Sequence, residues 1–305
     1  MTLLRLFVLF LLGTSMLQAQ IERIELLEDE PQRPFTFEDL YAMGRVSDPQ
    51  VSPDGESILY VVTYYSIEDN TSNSDIWKVD IEGTGSERLT TSPKADTRPR
   101  WAPDGSNIAF ISNREQGRQI WTMKPDGSAQ TRLTDISTGI DAFEWVPTGT
   151  HFLYTSHVYA DCPDDACNRI RDEEKAASPV KARLIDKLPY RVWNSWKDDK
   201  YSHVFVIPAA GGTPRELTPG PYDTPPIDLG GRLDFVASPD GKEVAFVKNT
   251  DPMIATSTNN DIWLVNIDGS NARCITADNK GNDNQPVYSP DGRSIAYRSM
   301  SRAGY

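Results

Sequence analysis

Apolar and polar positions along this chain form short runs that return in a fixed order. The run Ile58-Leu59-Tyr60-Val61-Val62 has the composition and alternation of a strand buried between neighbours. Equivalent runs stand in NIAFISN, HFLYTSH, EVAFVKN and SIAYRSM. Each follows a shorter segment and a turn: PQVSPDG, RPRWAPDG, FEWVPTG, DFVASPDG and QPVYSPDG. After the first four runs comes a segment built around an aromatic: DIWKVD, QIWTMK, HVFVIP and DIWLVN. The unit closes with ERLT, TRLT, RELT or RCIT, so the pattern predicts four strands per unit joined by tight turns.

The turn has a physical reading. Proline fixes φ at the first corner, aspartate bonds nearby amides, and glycine supplies a positive φ without steric cost. The turn glycines stand at 55, 105, 149, 241 and 292, at intervals of 50, 44, 92 and 51 residues. Three intervals match one propeller blade of the WD40-like kind. The doubled one marks an insertion in blade three, at about residues 158–201, where DDACNRIRDEEKAAS has helical character. The expected fold is all-β: a β-propeller of four complete four-stranded blades and part of a fifth, an incomplete ring with a partly helical insertion. Ile21–Leu27 is available as one further strand, and Thr36 and Asp39 form a capping box for a short helix before blade one. Trp77, Trp121 and Trp263 recur at one blade position with Phe205 as stand-in. Their lock to the period assigns them to packing between blades rather than to ligand stacking.

Composition narrows the class of partner. The 305 residues carry a formal net charge of -13, with no basic stripe, so nucleic acid is not an expected partner. Met1–Gln20 reads as a secretory signal peptide, cleaved after Ala19, with an apolar run too short to be a stable membrane anchor. The expected organisation is a leader over 1–19, an N-terminal segment over 20–47 and the partial propeller over 48–305, in a periplasmic or secreted protein. Export permits disulfides, and Cys162 and Cys167 are close enough for a local bridge; two free thiols are the alternative. Cys274, in RCIT, reads as a small apolar filler.

The search for chemistry returns little. No G-x-S-x-G elbow, HExxH, Walker loop or dinucleotide fingerprint occurs, so no catalytic residue, metal site or cofactor is assigned. The three histidines, His151, His157 and His203, all fall in or beside strands of blade three and read as structural. Glu173 and Glu174, in the insertion, are candidates for holding a substrate's amino terminus; a solvated helix face is the competing reading.

Three stretches carry a resemblance: FTFEDLYAMGRVSDPQVSPDG, PVKARLIDKLPYRVWNSWKDDKYSHVFVI, and STNNDIWLVNIDG with NDNQPVYSPDGRSIAYRSMSRAGY. With them the chain resembles the N-terminal β-propeller of the prolyl oligopeptidase family of serine peptidases, on the dipeptidyl peptidase V and acylaminoacyl-peptidase branch. The resemblance implies a C-terminal α/β-hydrolase domain bearing a Ser-Asp-His triad, short peptides as substrates, and a propeller that limits access to the active site. No position here matches a triad residue, so this chain alone is expected to be inactive. The alternative is a stand-alone TolB-like periplasmic propeller acting as a protein-binding module.

Overall fold

The computed structural model describes residues 33–185, 187–227 and 233–304. The leader over 1–19 and the strand expected at Ile21–Leu27 lie outside the described residues. The described residues fall into two units, divided between Met43 and Gly44.

In the first unit helix α1 spans Phe37–Ala42. Its capping box forms as the sequence predicts: Asp39 N donates to Thr36 Oγ1 (3.3 Å) and Thr36 N to Asp39 Oδ2 (2.8 Å). Arg33 pairs with the same carboxylate and, by hydrogen bonding, holds it well below the usual carboxylate range.

The second unit is built from antiparallel sheets in chain order. The first contains β1 (Arg45–Val51), β2 (Ser57–Ser66), β3 (Thr71–Asp80) and β4 (Glu87–Arg88). The second contains β5 (Asp96–Trp101), β6 (Ile108–Ser112), β7 (Gln119–Met123) and β8 (Thr131–Arg132). In the third, β9 (Ala142–Trp145) and β10 (His151–Tyr159) are separated in sequence from β13 (Lys200–Pro208) and β14 (Arg215–Glu216). The fourth is β15 (Phe235–Ala237), β16 (Glu243–Asn249), β17 (Asn260–Asn266) and β18 (Arg273–Cys274). A two-stranded sheet of β19 (Asp283–Tyr288) and β20 (Ile295–Ser299) follows. The first blade opens at Arg45, where the ladder Arg45↔Thr63 begins, three positions before the expected Asp48.

The core lies between sheets. Leu59, Ile76, Phe110 and Trp121 join the first blade to the second; Ile111, Phe143 and Tyr154 join the second to the third. Leu153, Val204, Phe235 and Phe246 join the third to the fourth. Strands in the middle of a blade are covered on both faces, which is why β6 is buried at every position. The recurring aromatics pack with these clusters: Trp121 within one, Trp263 and Phe205 against others. The indole N–H groups of Trp77, Trp121 and Trp263 are buried without a hydrogen-bond partner among the described residues, a cost that their packing offsets.

The SPDG turns also bind blade to blade. In the first, Ser52 Oγ donates to Asp54 Oδ1 and accepts from Ser57 N, and Gly55, at φ 78°, closes the corner. The proline of one turn packs against the glycine of the next: a Cβ placed on Gly105, Gly149 or Gly292 would stand 4.0, 3.8 or 3.6 Å from Pro53, Pro103 or Pro239.

The closing threonines form a second repeated device. Ile76, Ile120, Val204 and Ile262 donate their backbone N–H to the hydroxyls of Thr90, Thr134, Thr218 and Thr276 at 2.9–3.0 Å. In three of the blades that hydroxyl donates onward to the residue before the donor, Asp75, Gln119 or Asp261. The fourth strand, only two residues long, is thereby fastened to the third by a side chain where ladder bonds run out.

Candidate functional site

The first strands of the blades, with Val61, Thr63 and Ser74 from the next two strands of the first blade, bound a cavity of about 750 Å³. Three of these strands, β1, β5 and β19, break register at the same place, between Ser47 and Gln50, Thr97 and Arg100, and Asn284 and Val287. The displaced residues are Asp48, Arg98 and Gln285, with φ of 51°, 53° and 55°. Each precedes a proline, Pro49, Pro99 or Pro286. A bulge re-aims the side chain it displaces, and all three of these residues line the cavity.

Arg100 ties three blades together. Its Nη1 donates to both oxygens of Asp48 in the first blade, at 2.9 and 3.0 Å, and its Nε donates to Glu144 Oε1 in the third, at 2.8 Å. Desolvation pulls the guanidinium pKa down, but Glu144 and Asp48 outweigh it and hold the value above normal. Burial pushes the Glu144 carboxyl up, more than Arg100 pulls it down. Trp101 and Trp145 add a parallel ladder, each indole N–H donating 3.3 Å to a backbone oxygen of the preceding blade, Gln50 O and Arg100 O. Arg98, two residues away, has no hydrogen-bond or ion-pair partner among the described residues. Burial, and secondarily the charge of Arg100, push its guanidinium pKa down.

The insertion forms helix α2 (Asp165–Ala177) and a small hairpin of β11 (Arg191–Val192) and β12 (Ser195–Trp196). Asp164 caps the helix through Cys167 N (2.8 Å). Buried Asn168 accepts from Tyr159 N (2.9 Å), Asp172 accepts from the Tyr159 hydroxyl and pairs with Lys200, and Cys162 is disulfide-bonded to Cys167. These contacts pin the helix to the strand ends it interrupts. Glu173 and Glu174 stand exposed on α2 and do not line the cavity. In the hairpin, Trp196 carries Arg183 and Arg191 over its ring at 4.8 and 5.5 Å.

A family model described as the TolB beta propeller domain matches residues 40–162. Dipeptidyl-peptidase 5 of Porphyromonas gingivalis is 34% identical over 269 residues, covering 86% of this chain and 38% of its own length. The chain carries a TolB-like propeller domain, and dipeptidyl-peptidase 5 is a homologue. It spans little more than a third of that relative. Among solved structures, Pyrococcus horikoshii acylaminoacyl peptidase superposes with a TM-score of 0.61 at 18% identity, over 87% of this chain and 37% of that one. Oligogalacturonate lyase from Vibrio parahaemolyticus reaches 0.52 at 15%, over 82% and 57%. Those two likenesses concern the fold, which evidently hosts unrelated chemistries.

The three histidines of the chain are accounted for by their partners. His203 occupies the position of Asp75, Gln119 and Asp261, before the aromatic segment. Buried, it bonds Glu216 through Nδ1 and Gly220 O through Nε2 (2.8 Å). A carbonyl only accepts, so Nε2 carries a proton. His157 pairs with Asp141 at the surface (2.7 Å), and His151 bonds Thr150. None shares a hydrogen bond with a serine hydroxyl among the described residues, and no helix among them is long and apolar enough to cross a membrane. The cavity and its bulges went unread in the sequence, although D-P, R-P and Q-P recur four residues before the turn motif and mark them.

Proposed function

We propose that this chain is the propeller portion of an exported serine exopeptidase of the dipeptidyl or acylaminoacyl type, which limits entry to short peptides. The observation that carries the reading is the 34% identity to dipeptidyl-peptidase 5 across 86% of the chain. On this reading the propeller is an open arc of four blades and half of a fifth within these 305 residues, directed to the periplasm or the exterior by its leader. Peptide-bond chemistry belongs to an α/β-hydrolase domain outside them, and the 305-residue chain alone turns over no peptide. On the same reading Glu173 and Glu174, exposed on helix α2, hold a substrate's amino terminus.

The test is hydrolysis of dipeptidyl and acylaminoacyl nitroanilides by the product of the complete reading frame and by the 305-residue chain. Turnover by the first and none by the second is expected. A reading frame that stops after Tyr305, or a complete product with no turnover, overturns the proposal. The match to the TolB domain over 40–162 favours a second reading, a binding propeller without catalysis; a stop after Tyr305 would select it.

A further inference from the structure

Arg98 is a half-buried cation on the wall of a cavity of about 750 Å³, a size that suits a small ligand. The bulge in β5 fixes its backbone at φ 53°, so its direction is set by the fold. Its neighbours are already committed. Asp48 and Glu144 both accept from Arg100, and Arg118 donates to Ile140 O and Asp141 O. Arg98 alone of these cations has no acceptor among the described residues. We propose that Arg98 anchors a carboxylate-binding site in this cavity, which takes the free carboxylate of a short peptide.

The chemistry of the wall selects that class of ligand. A guanidinium fork matches a planar carboxylate with two parallel hydrogen bonds. Asp48 and Glu144 line the same cavity, so a dianion such as phosphate meets more repulsion than a monoanion. Gln285, displaced by the equivalent bulge, faces the cavity with an amide, and Val236, Val287 and Trp145 offer apolar wall for the remainder of a peptide. The word peptide rests on the peptidase reading above; the carboxylate site rests on the cavity alone. Either a C-terminus or an acidic side chain supplies the same group.

The test is titration calorimetry of the full chain at low salt with acetyl-tetra-alanine, its C-terminal amide, and acetyl-Ala-Asp-Ala-amide. The free acid should bind about tenfold or more tighter than the amide, the advantage of a charge-assisted pair. The aspartyl amide then tells a side-chain carboxylate from a C-terminal one. Arg98→Gln should erase the preference and Arg98→Lys should keep part of it. Glutamine is compatible with the backbone, since Gln285 holds φ 55° at the equivalent bulge. Equal binding of acid and amide, no binding of any of the three, or an unchanged preference in Arg98→Gln overturns the site. If that variant does not fold, the wild-type comparison and Arg98→Lys still decide. Failure here leaves the hydrolysis test standing, because turnover is not its readout.

Discussion

Replacing Arg100 with methionine removes a side chain that joins three consecutive blades. Arg100 is 12% exposed, and it serves Asp48 and Glu144, which are 27% and 34% exposed. The variant keeps most of the packing of the side-chain stem and loses three hydrogen bonds to carboxylates and one to Pro99 O. Breaking a buried pair from one side costs about 3–5 kcal/mol, chiefly through the charge left without a partner. Here both carboxylates keep partial access to water and can rehydrate, so about 2–3 kcal/mol is expected. For a unit of this size that lowers Tm by roughly 4–12 °C. Urea unfolding followed by far-UV circular dichroism measures it. The reasoning makes a sharper demand on the triple variant Arg100→Met, Asp48→Asn, Glu144→Gln. With no stranded charge left, it should regain most of the loss. A single variant within about 0.5 kcal/mol of the parent refutes the argument, as does a triple variant no more stable than the single one.

Gly241→Ala should destabilise the protein by about 2 kcal/mol or more, because the site has φ 71° and the new Cβ would meet Val146 Cγ1 at 2.9 Å. Gly55→Ala, at φ 78° with nothing within 4 Å, should cost only the backbone share of about 1 kcal/mol, so equal losses in urea melts would discount the contact. Thr134→Val leaves Ile120 N without its buried acceptor, while Gln119 Oε1 keeps Ile136 N at 3.0 Å, and should cost about 1–3 kcal/mol, whereas an unchanged urea midpoint would discount the threonine lock. Burial raises the folded-state pKa of Glu144, so its contribution to stability is fully present below the ordinary carboxylate pKa and is lost as pH rises through the folded value. Glu144→Gln should therefore match the parent in acid and exceed it at pH 7; melts showing a loss at pH 7 would overturn this.

The blade period was legible because each strand answers to one local cause: a turn that needs glycine at positive φ, followed by an apolar run that needs two covering neighbours. Helix α2 was legible for the same reason, in the stretch Asp164–Ser178. The cavity was not, because its residues come from first strands some fifty positions apart and meet only after the blades pack. Arg100 in the sequence is one basic residue among 31 lysines and arginines; its two carboxylate partners lie 52 residues before it and 44 after it. The threonine lock was partly visible, since the closing motif ends in Thr every time. What four letters could not convey is that the hydroxyl, and not a longer fourth strand, makes the connection.

The repeats serve as an internal comparison, and that comparison separates scaffold from site. Every blade faces the same packing demands, so a position set by packing should hold similar residues in all of them. The turn glycines do so without exception, and so do the threonines at 90, 134, 218 and 276. The position four residues before the start of the turn motif is different: it reads Asp48, Arg98, Ala142, Asp234 and Gln285. Backbone geometry does not explain the change, because Asp48, Arg98 and Gln285 share one φ within a few degrees. The fold therefore fixes where these side chains stand and leaves their charge free. A negative, a positive and a neutral group on equivalent bulges around one cavity make a surface with direction. That asymmetry is what recognition of a polar ligand requires, and the packing of identical blades cannot produce it.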